Sequence, residues 1–340
     1  MAGSKRTWAV IAPFFLDQDA HWLDDLIDDK TIDFKKVLRT RQDPNWHMAK
    51  GLTTGAGNWR RHIGQARRAF AIRPDGIVTS FPHLAMCAGL LKRLGLGRPR
   101  IIAYNYNLGA FHSGAKQRLA RFAAAGIDRF VVHSPSEVES YAAYLNRPQE
   151  AFSFVPLQRG APQVPRTEDT TSPFILAMGS AQRDYASLVE AVSARALPTV
   201  IVTRPDIIES LPKAPHLTYK TGLSRDACMA LLARARLSVT PIANQTTASG
   251  QITFINAMQL GVPVIATRCP GTEGYVDHER TGLLTAPDDA KDLEAAITRL
   301  WDDAAARDAL GRAALTEADT RFSDSAAAKQ LHRFILELTP

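Results

Sequence analysis

Cysteine is scarce in this chain. Cys87, Cys228 and Cys269 stand far apart, with no Cys-x-x-Cys pair and no neighbouring His/Cys cluster. That spacing excludes a disulfide framework and a structural zinc site, and it is the pattern of reduced thiols in a cytosolic protein. No apolar run approaches the roughly 18 residues a membrane-crossing helix needs. The amino-terminal run "TWAVIAPFF" ends at the acidic loop "LDQD" with no small-residue cleavage site, which argues against a secretion signal. Acidic residues are thin in one half only. Residues 1–160 hold 23 Lys+Arg against 13 Asp+Glu, a balance of +10, and the remainder holds 18 against 21, or −3. No RNA- or DNA-binding motif accompanies this excess, so nucleic acid is not an expected partner. Two readings stand: solubility charge that happens to cluster, or an approach to something anionic, either a membrane surface or a phosphorylated acceptor.

What is present is an ordinary soluble composition, 45% hydrophobic and 22% charged, on a chain of 340 residues. That length exceeds what one core usually fills, so two domains are expected. Short apolar segments alternate with amphipathic ones. "TWAVIAPFF", "KKVLRT" (35–40), "GIVTSF", "RIIAYNYN", "DRFVVHS" and "AFSFVP" read as strands, and "AHWLDDLIDD", "NWRRHIGQARRAFA", "HLAMCAGLLKRLG" and "GAKQRLARFAAAG" as helices. The stretch 157–173, rich in Pro, Thr and charge, breaks the pattern, and the alternation restarts at "FILAMGS". Strand–helix alternation implies parallel sheets covered on both faces. The expected architecture is α/β: two doubly wound, Rossmann-like domains facing across a cleft. Their bounds are 1–157 and 173–322, with a linker at 158–172 and a C-terminal helix in 323–340 packing back toward the first domain.

The stretch "TTASGQITFINAMQLGVPVIAT" (246–267) carries the most chemistry. Ser249 and Gly250 stand where a helix should begin, at the carboxyl end of strand "RLSVTPI", and Ser249 is the expected N-cap. The first turn of a helix has unpaired N–H groups and partial positive charge, so the guest it suits is a phosphate or diphosphate. Gly250 lets the backbone come close, and Thr246, Thr247, Ser249 and Thr253 add hydroxyls. A plain helix cap is the competing explanation.

With "GTEGYVDHERTGLLTAPDDAKDLEAAITRLWDDAAARDALG" and "AMGSAQRDYASLVEAV", this stretch resembles the GT-B nucleotide-sugar glycosyltransferases. The likeness is to the bacterial polysaccharide-building branch of family 4, or group 1. The resemblance covers most of the second half and implies that the second domain holds a nucleoside diphosphate-sugar. It places Gly179, Arg183, Ser249, Gly250, Gln251 and Thr253 at the diphosphate and Asn256 at the ribose, with Arg204 as a further basic candidate. Two glutamates of many retaining members correspond to Ala248 and Asn256 here, and Gln251, Thr253 and Glu273 are the residues that would cover part of that loss.

On the acceptor side, Asp17, Asp19 and His21 in "PFFLDQDAHWLDD" are candidates for a general base, and Asp17 and Asp19 read equally as helix caps. His112 is a further candidate. Asn105, Tyr106 and Asn107 are candidates to bind acceptor hydroxyls or a sugar face, two tyrosines closing a sheet being the alternative. The basic segment from Trp59 to Arg73 has the composition of a helix suited to an anionic leaflet. The expected function is transfer of a sugar from a nucleotide-sugar donor to a glycan or lipid-linked acceptor in cell-surface polysaccharide or glycolipid synthesis. It would proceed without an obligatory metal or other cofactor, in the cytoplasm or at the inner face of the plasma membrane. A nucleotide-sugar epimerase or hydrolase, and a silent nucleotide-sugar-binding partner, are the alternatives.

Overall fold

The computed structural model describes residues 5–17, 20–39, 56–108, 111–243 and 248–339, with side chains of the first helix from residue 59 onward. The chain divides into two compact units, Met1–Val155 with Ala327–Pro340, and Pro156–Ala326. Each is built on a six-stranded parallel sheet.

In the first unit, strands β1 (Arg6–Ile11), β2 (Ile32–Lys36), β3 (Gly76–Ser80), β4 (Arg100–Tyr104), β5 (Arg129–Val132) and β6 (Phe152–Phe154) lie in the order β2-β1-β3-β4-β5-β6. They alternate with helices α1 (Ala56–Ala71), α2 (Pro82–Arg93), α3 (Gly114–Ala124) and α4 (Pro135–Leu145). Side chains alternate across each strand, so the sheet feeds two cores. Ala9, Ile11, Ile77, Ile101 and Ala103 pack with residues of α1, α2 and α4, whereas Trp8, Val10, Val78, Ile102 and Tyr104 face the other way.

The second unit runs β7 (Ile175–Met178), α5 (Tyr185–Ser193), β8 (Thr199–Val202), α6 (Pro205–Ile208), β9 (Leu217–Lys220) and α7 (Arg225–Arg234). It continues through β10 (Leu237–Thr240), α8 (Gln251–Gln259), β11 (Val264–Thr267), β12 (Leu283–Thr285), α9 (Ala290–Asp302) and α10 (Ala304–Arg321). Its sheet order is β12-β11-β10-β7-β8-β9. The chain winds outward from β7 to β9, then crosses to β10 on the other side of β7. Loops after β7 and β10 therefore diverge at a topological switch point, where open α/β sheets leave a crevice.

The last helix, α11 (Asp324–Leu338), closes the second core of the first unit with Leu331, Phe334 and Ile335. Polar ties fix its register there: Arg129 to Glu337 at 3.0 Å, His332 to Asp29 at 2.8 Å, and Arg6 to the Thr339 carbonyl.

Three expectations need correction. The segment expected to be a linker lies along the second unit, with Thr167 N–H donating to the Ala233 carbonyl at 3.0 Å and Asp169 N–H to that of Arg234 at 2.9 Å. Its charges bind it there, Glu168 pairing with Arg166 and Arg236. The expected strand 35–40 is displaced, because β2 ends at Lys36. "AHWLDDLIDD" yields only a 3-10 turn over Leu23–Leu26, since Lys36 Nζ takes the Ala20 carbonyl at 2.7 Å and Trp22 turns edge-on to Tyr104.

Helices α2 and α3 touch through glycine. A Cβ at Gly89 would lie 2.3 Å from the Ala123 carbonyl oxygen, and one at Gly126 would lie 2.4 Å from that of Gly89. Gly89→Ala should therefore cost about 3 kcal/mol of unfolding free energy, read from the urea midpoint. An unchanged midpoint would mean that the helices part freely.

Candidate functional site

The site is built where β7 and β10 end. Gly179 follows β7 with φ +117°, and a Cβ there would lie 2.6 Å from Arg183 Nη2. Only glycine lets the Arg183 side chain fold back over this backbone. The guanidinium donates from Nε to the Met178 carbonyl at 3.2 Å, from Nη1 to that of Ala181 at 2.7 Å, and from Nη2 to Thr253 Oγ1 at 3.1 Å. These partners are all uncharged. Burial draws the Arg183 pKa below its ordinary value, partly offset by Tyr185 and Cys269. The arginine stays protonated, so a cation is held half-buried without a countercharge among the described residues. A backbone bridge between Arg183 and Ile242 ties this loop to the one after β10.

Above it begins α8. Its N-cap is Gly250, at φ +87° and ψ −16°, rather than the expected Ser249, and this residue has no side chain to cap the first turn. The left-handed glycine turns the chain into the helix without placing a hydroxyl over the N–H groups. Ser249 Oγ is buried without a hydrogen-bond partner among the described residues, as is Thr240 Oγ1 at the end of β10. Thr253, one turn in, joins α8 to Arg183, and Asn256 follows on the same helix, half-buried. Gln251 opens the helix itself. Thr246 and Thr247 lie outside the described residues.

One member of the site escaped the sequence reading. A Cβ at Gly271 would fall 2.2 Å from the Ser249 carbonyl oxygen and 2.6 Å from its nitrogen, so the loop after β11 lies directly against the Ser249 backbone. Thr272 stiffens that loop, accepting from Cys269 N–H at 3.0 Å and donating to the Cys269 carbonyl at 2.9 Å. The signal was the pair of glycines in "CPGTEG". Glu273 is exposed on this same loop. Arg204 stands apart from Arg183 in its bonding. Its guanidinium is exposed and grips Asp206, Nε to Oδ1 and Nη2 to Oδ2 both at 3.0 Å, instead of joining Arg183.

Among the described residues, the acceptor-side candidates are not brought together. Asp19 lies outside the described residues, and Asp17 is exposed. The His21 side chain is 88% exposed, with Nδ1 3.3 Å from Asp25 Oδ2. In that loop burial raises Asp24 to about 6 against the pull of Lys36, while Asp25 is held below its ordinary value against the cost of burial by bonds from Lys36 and the Trp22 N–H. His112 is exposed, and its backbone N–H donates to Tyr144 Oη at 3.1 Å. Tyr106 is a correction: it is fully buried, with its hydroxyl 3.3 Å from Met86 Sδ, and has no face for a sugar. Asn107 is exposed beyond it.

Asn105 sits in a network the sequence did not reveal. It adopts φ +52°, and its amide bridges Ser80 Oγ at 3.0 Å and His133 Nε2 at 2.7 Å. His133 Nδ1 lies 2.7 Å from the Val155 carbonyl, which can only accept, so Nδ1 carries the proton. Burial lowers the His133 pKa from 6.5 to about 4, so the ring is neutral near pH 7. The amide is placed with Nδ2 toward Ser80 Oγ and Oδ1 toward Nε2; a ring protonated on Nδ1 alone requires it turned over, Nδ2 donating to Nε2 and Ser80 donating to the amide oxygen. Beside this, buried Glu137 accepts from His133 N–H and Tyr141 Oη–H, both at 3.0 Å.

His133 makes stability depend on pH with one sign, and Glu137 beside it, raised by burial, acts with the other. The unfolded chain protonates a histidine near 6.5, whereas His133 resists until about 4. Between those values the unfolded state binds more protons, so the contribution is fully present above 6.5 and is lost as pH falls. His62, lowered to about 4 mainly by burial, acts in the same direction. His133→Gln should flatten the acid limb of a denaturation series by on the order of 3 kcal/mol. An unchanged slope would contradict a neutral, buried ring.

Residues 175–303 match the family model described as glycosyl transferases group 1. No curated protein matches the chain. Among solved structures, it is similar to sucrose-phosphate synthase from Thermosynechococcus elongatus, with TM-score 0.69 and 17% identity over 98% of this chain and 99% of that one. A glycosyltransferase from Rickettsia africae gives 0.68 and 12%, with 99% of each chain covered. HepE of Anabaena in complex with UDP gives 0.65 and 12%, over 98% and 100%, and its complex with UDP-glucose gives 0.62 at 12%, over 98% and 99%. At such identities the likeness is one of fold: two Rossmann-like halves, the GT-B arrangement.

Proposed function

We propose, from the group 1 glycosyltransferase domain that residues 175–303 of this chain form, that the protein moves a sugar from a nucleoside diphosphate to an acceptor hydroxyl. The observation that carries this reading is Arg183, folded over Gly179 and bonded to Thr253 in the first turn of α8, whose N-cap is a glycine. A guanidinium and a helix amino end converge on one position, which suits a diphosphate. That group leaves during transfer and gathers negative charge as it does, so donors placed in advance favour the transition state over the bound donor. The charge is assigned to Arg183 and α8 rather than to a metal ion. Uridine diphosphate sugars are the first donors to try, given the complexes formed by HepE. The acceptor belongs to a glycan or a lipid-linked intermediate of cell-surface synthesis.

Ala248 and Asn256 favour one other reading, a binding module without turnover, because neither carries the charge that a glutamate would bring. Release of nucleoside diphosphate separates the two. Release that depends on added acceptor supports transfer. Release without acceptor indicates a hydrolase or epimerase, and binding without release indicates the silent module.

A further inference from the structure

Helix α1, whose basic residues suggest a membrane surface, spends its apolar side on the core: Ala66, Ala69 and Phe70 are buried there, with Ile63 packed against them. Exposed apolar side chains gather elsewhere, after α2 and along α3. Leu94 is 62% exposed, Leu96 46%, Leu119 58% and Phe122 40%. They share one surface, because α2 and α3 meet at Gly89 and Gly126 and the Arg93 guanidinium lies 5.1 Å from the centre of the Phe122 ring. On α3, Leu119 and Phe122 stand three residues apart and are both exposed, whereas Ala123 and Ala124 are buried.

The charge of the segment that carries them has one sign. Residues 76–127 contain seven Lys+Arg and no Asp or Glu. Asp128, the next acid, is occupied by Lys92 at 2.6 Å and Arg100 at 3.1 Å. Arg93, Arg98, Lys116 and Arg118 are exposed around the leucines and the phenylalanine. We propose that this surface docks the protein on an anionic lipid bilayer. The four apolar side chains enter the headgroup region and the cations meet lipid phosphates. Both features are used there: apolar area leaves water, and each nearby cation gains from the leaflet's surface potential. Single-stranded nucleic acid would use the cations and aromatic faces but would leave three leucines in water.

The proposal goes beyond sugar transfer and uses no residue of the donor site, so the two stand or fall separately. The test is cosedimentation of the full chain with phosphatidylcholine vesicles, with and without phosphatidylglycerol. Binding is expected only with phosphatidylglycerol. Lys116→Gln combined with Arg118→Gln should weaken partitioning roughly thirtyfold and reduce its salt dependence. Leu119→Ser combined with Phe122→Ser should weaken it by at least about tenfold. Both double variants should keep the wild-type melting temperature and UDP affinity. Equal binding to neutral vesicles, no effect of either pair, or capture of mixed-sequence RNA without vesicle binding would overturn the proposal.

Discussion

Arg183→Ala is expected to lower kcat/KM by about 10²–10³ while leaving the melting temperature within a few degrees of wild type. The loss should be large because this cation is prepaid: Gly179 and three uncharged acceptors hold it in place before any ligand arrives. The fold should tolerate its removal, since the partners left behind are two carbonyls and a hydroxyl rather than a buried carboxylate. Arg183→Lys should recover only part of the activity, because one ammonium cannot span the three acceptors and still present a flat fork to a phosphate. Steady-state rates with a UDP-sugar, beside a melting curve, check both halves. Wild-type rates in Arg183→Ala would make this arginine a structural brace.

Gly271→Ala is expected to damage the site from a loop that contributes no charge. Its Cβ would sit 2.2 Å from the Ser249 carbonyl oxygen, a backbone atom that cannot rotate away. Either the loop after β11 or the Ser249–Gly250 segment must move, and the latter sets the start of α8. A cost of about 2–4 kcal/mol in stability should accompany at least a tenfold loss of UDP affinity. Calorimetry and urea denaturation read the two effects. Full affinity with lowered stability would show that the loop yields and the helix start does not. Gly250→Val should act similarly, since φ is +87° and its Cβ would lie 2.8 Å from Ile242 Cδ1.

The fold was legible because buried parallel strands read as apolar runs. "GIVTS" and "VIAT" are buried throughout, and β3 and β11 fall on them. The pairing of Arg183 with the start of α8 was legible in part, from a glycine and a base after one strand and Ser-Gly after another. What failed was geometry that depends on a single dihedral or a distant neighbour. Ser249 has the right chemistry for a cap, but a left-handed Gly250 took the position by conformation. Tyr106 follows β4 and seemed free to face a ligand. The left-handed turn at Asn105 sends it back into the core instead, where its N–H meets the Val131 carbonyl at 3.0 Å. Arg204 was disarmed by Asp206, two residues on. Gly271 gains its meaning only from Ser249, 22 residues earlier in the chain, a proximity no local pattern encodes.

A crystal structure of the protein soaked with UDP addresses the seat itself. The diphosphate oxygens should lie about 2.8 Å from the Arg183 guanidinium and from backbone N–H groups of the first turn of α8. Diphosphate density anywhere else, with Arg183 still turned onto Met178, Ala181 and Thr253, would contradict the assignment.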